Sequence, residues 1–271
     1  MSQEQDSEAK KALVADWFGR AASIYFSPFF SYPGARLVDL AGVKPGAQVL
    51  DICTGIGAVL FPATDALGLD GHVTGIDIAP EMVRGAATSI VQRGLSNAHT
   101  QQMDAERLGF PDASFDYVLC GFGIGFIPDL DGALKEMQRV LKPGGVLAVS
   151  TWAEGNELAG TYRQLADDFK VPQPGLGSNR LSTAPLLQEA LGSAGCTNVK
   201  VTAEQVKVIF DSKQEYWAQR MPIEQLAAEE LAADRQGPFR RAVFDILQDY
   251  IYVDGVHEVR NVLYAVATIE K

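Results

Sequence analysis

The sequence predicts a doubly wound α/β fold around a mostly parallel sheet, on three observations. Strand-like and helix-like stretches alternate over most of the chain, which calls for parallel strands joined by right-handed crossovers. Helix boundaries are punctuated by proline and glycine where the period changes. The length, 271 residues with 47% hydrophobic content, suits one large core, and no repeat or low-complexity linker divides it.

The elements follow in order. About the first 30 residues read as helix and concentrate Trp17, Phe18, Tyr25, Phe26, Phe29 and Phe30. Strands are expected at 47–52, 71–77, 98–103, 115–121 and 145–152, with helices at about 58–68, 80–94 and 130–142 between them. Pro80 occupies a first helical turn, where a missing N–H is harmless, and "KPGG" at 142–145 stops the third helix. A helix at about 183–194, a strand at about 198–210, a charged helical stretch at 213–250 and a closing strand at 261–270 complete the chain. In the 213–250 stretch Leu226, Leu231, Phe239, Val243 and Leu247 form an apolar stripe under a solvated face. We read residues 1–271 as a single domain with a helical cap (1–45), a core (46–152) and a C-terminal region (153–271).

Composition narrows the function. A formal charge of -11, from 34 acidic and 23 basic residues, provides no general attraction to nucleic acid or anionic membranes. No run is long enough to span a membrane, and the polar, acidic start predicts a cytoplasmic protein. Cys53, Cys120 and Cys196 lack any C-x-x-C spacing, so no metal site or disulfide is expected.

The stretch "VLDICTGIG" (49–57) carries the ligand question. A glycine turn after the first strand of a parallel sheet lets a ligand approach backbone at the start of a helix. A dinucleotide fingerprint would need a third glycine where Leu60 stands, and neither Tyr162 nor Tyr216 is followed four residues on by lysine. Asp77 ends the second strand, where it can accept ribose hydroxyls, and Asp104 follows the third, where it can accept an adenine amine. Together these describe an adenosine site with no pyrophosphate to neutralise, which is the geometry of S-adenosylmethionine.

With these motifs the sequence resembles the class I S-adenosylmethionine-dependent methyltransferases. "VLDICTGIG", "GIDIAPEMV", "MDAERLGFPDASFDYVLC" and "ALKEMQRVLKPGG" match four motifs in order over about residues 35–155. "CGFGIGFIPD" and "RVLKPGG" are most similar to the ubiquinone and menaquinone biosynthesis C-methyltransferases and the small-molecule group around them. The resemblance implies a Rossmann-like sheet of seven strands with an N-terminal helical cap and a helical insertion before the last strand. It implies that Asp51, Cys53, Gly55 and Gly57 hold the methionine portion and Asp77 the ribose. Ile78 and Met82 would lie along the cofactor, Asp104 and Ala105 at the adenine edge, Gly121 at the amino-acid moiety and Tyr25 at its carboxylate. Cys53 stands where that motif most often has glycine.

The methyl acceptor is expected to be a small or medium apolar or aromatic molecule, methylated on C, O or N. Phe29, Phe122, Phe126, Trp152 and Trp217 are the candidates for binding it. His257 and Asp129 are the candidate bases, against the plainer readings of a solvated loop histidine and a helix cap. Two alternatives share or borrow the fold: a cofactor-binding protein catalysing a cyclisation or other non-methylating reaction, and, with less support, a nicotinamide oxidoreductase. Oligomeric state is open, a homodimer being one option.

Overall fold

The computed structural model describes residues 3–22, 30–171, 179–219 and 222–270. Tyr25, Phe26 and Phe29 lie outside them. Five parallel strands carry the core: β1 (Gln48–Ile52), β2 (His72–Asp77), β3 (Ala98–Gln102), β4 (Phe115–Gly121) and β5 (Leu141–Trp152). Helices α3 (Leu60–Leu67), α4 (Pro80–Gln92) and α5 (Leu130–Val140) make the crossovers, while residues 103–114 link β3 to β4 without a helix. Parallel strands need both faces covered. Val49, Leu50, Ile52, Val118 and Leu119 accordingly have no exposed surface.

The order is β3-β2-β1-β4-β5-β8-β6, so the direction of winding reverses between β1 and β4. That switch point opens a crevice at the carboxyl ends of the strands. β6 (Thr197–Phe210) and β8 (Gly255–Thr268) are the antiparallel members, β8 lying between β5 and β6. Seven strands follow this path as expected, and an eighth, β7 (Ile251–Tyr252), pairs with the start of β8. Strand β8 therefore begins six residues before the sequence suggested, as one arm of a hairpin with β7.

The other departures have local causes. The N-terminal helix is two helices, α1 (Gln3–Ala21) and α2 (Ser31–Ala41). Pro33 sits in the first turn of α2, where its missing N–H has no helical acceptor to lose, and left-handed Gly42 (φ 66°) ends the helix. Strand β5 begins at Leu141, just before the "KPGG" turn, with a register shift between Phe115 and Tyr117 on its partner. Helix α6 (Glu157–Asp168) was not expected, whereas α7 (Ala184–Ser193) falls where it was, capped by the Thr183 hydroxyl.

The insertion before the last strand comprises α8 (Lys213–Gln219), α9 (Pro222–Glu229) and α10 (Ala233–Ile246). Phe239, Val243 and Leu247 are fully buried and gather with Tyr162, Tyr216 and Trp17 into a second core beside the sheet. Helix α1 packs on both α4 and α9, so it lies against the sheet layer and the insertion at once. Among the described residues no helix is long and apolar enough to cross a membrane.

Candidate active site

The site is built on the turn after β1. Cys53 and Gly55 both have φ 55° and Gly57 has φ 102°, all in the region that disfavours side chains. Glycine at 55 leaves open space: a Cβ there would meet nothing within 4 Å. At Gly57 the reverse holds, since a Cβ would come within 2.4 Å of the Phe61 ring. Backbone bonds tie the turn down, Thr54 N–H donating to the Ile76 carbonyl (2.9 Å) and Gly57 N–H to the Thr54 carbonyl (2.9 Å).

Two carboxyls organise this turn. Asp51, fully buried, accepts the Thr54 hydroxyl on Oδ2 at 2.6 Å. Its Oδ1 has no hydrogen-bond partner among the described residues. Burial pushes its pKa up to about 7, with the Asp77 charge adding to the effect and the Thr54 bond opposing it. Asp77 accepts the Gly55 N–H on Oδ2 and the Ala79 N–H on Oδ1, each at 2.9 Å. Burial raises its pKa to about 6, and those amide bonds hold it from rising further. Each Asp77 oxygen keeps a second acceptor position, so two neighbouring hydroxyls could be received by an already oriented carboxylate.

A cavity of about 430 Å³ opens above. Cys53, Gly55, Gly57 and Asp77 form one side, with Ile78 and Met82 beside them. Gly121, Phe122 and Phe126 line it from the end of β4, and Val14, Phe18 and Phe30 come from the cap. A smaller cavity of about 40 Å³ shares Cys53, Asp77, Ile78 and Phe126 and adds Asp104 and Ala105. Glycine is required at the end of β4 as well: a Cβ on Gly121 would meet Val59 at 2.6 Å, and one on Gly123 would meet Cys53 at 2.2 Å. Backbone approach, a carboxylate for a diol and a second carboxylate at the end of the crevice fit an adenosyl amino acid.

Other expected residues fall elsewhere. Trp152 stands behind Phe122, ring centroids 4.2 Å apart, and outside the residues lining the cavity. Trp217 packs within the insertion against Phe239 and Phe244 and does not reach the site. Its exposed-looking sequence context concealed a place in the second core. Asp129 caps α5 by accepting the Gly132 N–H at 3.0 Å. The structure does not bring His257 to the cavity: it lies on the β7–β8 hairpin, stacked on Tyr252 and 2.6 Å from Asp254. Pairing of β8 with β6 over its whole length carries it there. Tyr25 and Phe29 lie outside the described residues.

Sequence reasoning missed Lys11 and Val14 on α1, both at the smaller cavity. Their signal was spacing: Lys11, Val14 and Phe18 recur at helical intervals and share one face. The Cys53 thiol is held well above its usual pKa by its hydrogen bond to Cys120 and by burial, as suits a packing residue rather than a nucleophile. Among the described residues no cluster of three or more potential metal ligands occurs.

A glycine turn below a cavity at the switch point, carboxylates after β2 and β3, and an antiparallel β8 inserted beside β5 together define the class I S-adenosylmethionine-dependent methyltransferases. Residues 34–168 match the ubiE/COQ5 methyltransferase family. The chain is 41% identical over 174 residues to aklanonic acid methyltransferase DauC of Streptomyces sp. (strain C5), covering 62% of this chain and 77% of that protein. It is 38% identical over 136 residues to nocamycin O-methyltransferase of Saccharothrix syringae, 49% of either chain. It thus spans about half the length of the latter relative. The YcgJ protein of Bacillus subtilis shares the fold with TM-score 0.62 at 18% identity, over 89% of this chain and 99% of that one. The chain belongs to the ubiE/COQ5 methyltransferase family and is an S-adenosylmethionine-dependent methyltransferase acting on a small molecule.

Proposed function

We propose that the enzyme methylates an oxygen of an apolar, ring-bearing acid that reaches the site already ionised. The observation carrying this is the cavity's chemistry on the acceptor side. Phe18, Phe30, Phe122 and Phe126 supply rings, and among the described lining residues there is no histidine or lysine to remove a proton. The lining carboxylates are Asp65 and Asp77, and Asp77 is committed to backbone amides and the ribose position. A carboxylate or acidic phenolate needs no such base, because it is a nucleophile at neutral pH. The relative named for an acid and the relative named as an O-methyltransferase agree with this choice.

When bound, S-adenosylmethionine supplies the electrophilic methyl group. The chain's own residues bind, orient and keep water out. Asp77 receives the ribose hydroxyls, Asp104 and Ala105 meet the adenine edge, and Ile78 and Met82 pack along the nucleoside. The backbone at Cys53, Gly55 and Gly57 approaches the amino-acid portion, with Asp51 and Gly121 at that end. Phe122 and Phe126 hold the acceptor ring in line.

The test is a panel of polycyclic aromatic carboxylic acids and matched hydroquinones, offered with isotopically labelled methyl donor. Base-labile methyl esters should form on the acids. Label that survives both alkaline ester hydrolysis and acid cleavage of aryl methyl ethers is bonded to carbon, and finding it there would overturn the reading.

A further inference from the structure

Lys11 has no role in the site as described so far, yet it is among the least exposed charged residues of the chain, at 5%. Lysine is almost never buried to this degree unless paired. Its ammonium lies 2.8 Å from Asp104 Oδ2, 2.5 Å from Glu106 Oε2 and 3.0 Å from Glu8 Oε1. The network closes on itself. The other Asp104 oxygen accepts the Glu106 N–H at 2.9 Å, and the other Glu106 oxygen accepts the Asp129 N–H at 2.8 Å. Burial works to lower the pKa of the ammonium, but its hydrogen bonds to Asp104, Glu106 and Glu8 outweigh burial and hold it well above the usual lysine value.

We propose that Lys11 is a positioning residue of the adenosine site, which latches the cap helix α1 onto the loops after β3 and β4 and fixes the Asp104 carboxylate facing the adenine. The inference rests on the reading of the smaller cavity as the adenine end. Lys11 and Asp104 line that cavity together, while Val14 and Phe18, on the same face of α1, line the larger one. One helix face thus roofs both halves of the cofactor site, and its charged anchor is at the adenine end. Asp104 and Glu106 are like charges held side by side. Without the ammonium between them repulsion turns Asp104 away from a position where it can accept an exocyclic amine. The latch therefore acts on two quantities at once: how long the cofactor stays, and how strongly the site prefers adenine to a base with a 6-oxo group.

The experiment uses the full chain with Lys11→Met, Lys11→Arg and Glu106→Gln. The readouts are the dissociation rate of S-adenosylhomocysteine, its affinity relative to the inosine analogue, and Tm. Lys11→Met should speed dissociation by about tenfold or more and erase most of the adenine preference, since it leaves two carboxylates without their cation. Lys11→Arg should restore most of both. Glu106→Gln removes one of the two repelling charges while keeping its bond to Asp129, so it should restore part of the adenine preference when combined with Lys11→Met. Wild-type dissociation and base preference in Lys11→Met, whatever its Tm, would overturn the proposal by leaving only a structural ion pair. A wild-type protein indifferent to the two bases would instead overturn the adenosine-site reading beneath it. Should Lys11→Met not fold, Lys11→Gln is read in its place, with the same two outcomes.

Discussion

Asp77 shows how backbone prepares a side chain for a ligand. Two amides fix its plane, and burial leaves it ionised only above about pH 6. Asp77→Ala should weaken S-adenosylmethionine binding by about 1.5–3 kcal/mol, the usual magnitude for hydrogen bonds to a charged group. Calorimetry on the folded variant checks this. In the wild type, affinity should be level above neutrality and weaken as pH falls through about 6, because protonated Asp77 loses an acceptor position. Asp51 makes the complementary case for stability. Its folded pKa, about 7, exceeds the ordinary 3.8, so the native state keeps a proton that the unfolded chain has released. Stability from this group is full below about pH 4 and is lost as pH rises toward 7. Asp51→Asn should therefore raise Tm at pH 8 and show a smaller gain at pH 5. Equal shifts at both would show that burial of the acid is not the cause. At Gly57 a larger side chain disturbs more than the cofactor. With φ 102° and Phe61 in the way, Gly57→Val strikes the fold too.

At the scale of elements, legibility in the sequence tracked how local the determinants are. Strands β1, β2 and β4, and helix α4 opening at Pro80, are fixed by their own apolar runs and turn residues, and they stand where expected. The same locality places Asp51, Asp77 and Gly55, since each sits at a strand end or in the turn after it. The β6–β8 pairing is long-range: residues 256–260 are strand because β6 pairs with them, and that carries His257 away from the cavity the sequence reading offered it. Spacing could place Lys11 on a helix face with Val14 and Phe18, but not its role, because Asp104 and Glu106 lie over ninety residues away. Asp129 illustrates a case where the plain local reading and the catalytic one predict different numbers. As the cap of α5, Asp129→Ala should cost about 1 kcal/mol and lower Tm by about 2–4 °C. Turnover should be nearly unchanged. A more than tenfold rate loss at unchanged Tm would make Asp129 a participant in the chemistry.

At the scale of the molecule, α1 packs on the sheet layer through α4 and on the insertion through α9. Trp17 is buried in the insertion cluster, Ala21 packs on Ala79 and on Met82 of the cavity lining, and Arg20 reaches Glu230 at 2.9 Å. The cap is therefore both wall and tie. If the acceptor arrives ionised, as proposed, and no histidine or lysine lines the described cavity, catalysis rests on alignment and exclusion of water, and this wall supplies both. His257, by contrast, is held at a distant hairpin by Asp254 and Tyr252. We expect His257→Ala to keep turnover within about twofold, the change being confined to a surface contact outside the site. Removing residues 1–30 should lower turnover by orders of magnitude, because an unroofed cavity admits water and loses Val14 and Phe18 from its lining. Loss of Trp17 from the second core should also lower Tm, so the two effects have to be separated. Saturating cofactor and a temperature well below the variant's Tm do this, since a purely structural role would then leave turnover per folded molecule intact. A truncated protein with normal turnover under those conditions, beside an inactive His257→Ala, would mean that the reaction depends on explicit proton abstraction and not on the roof.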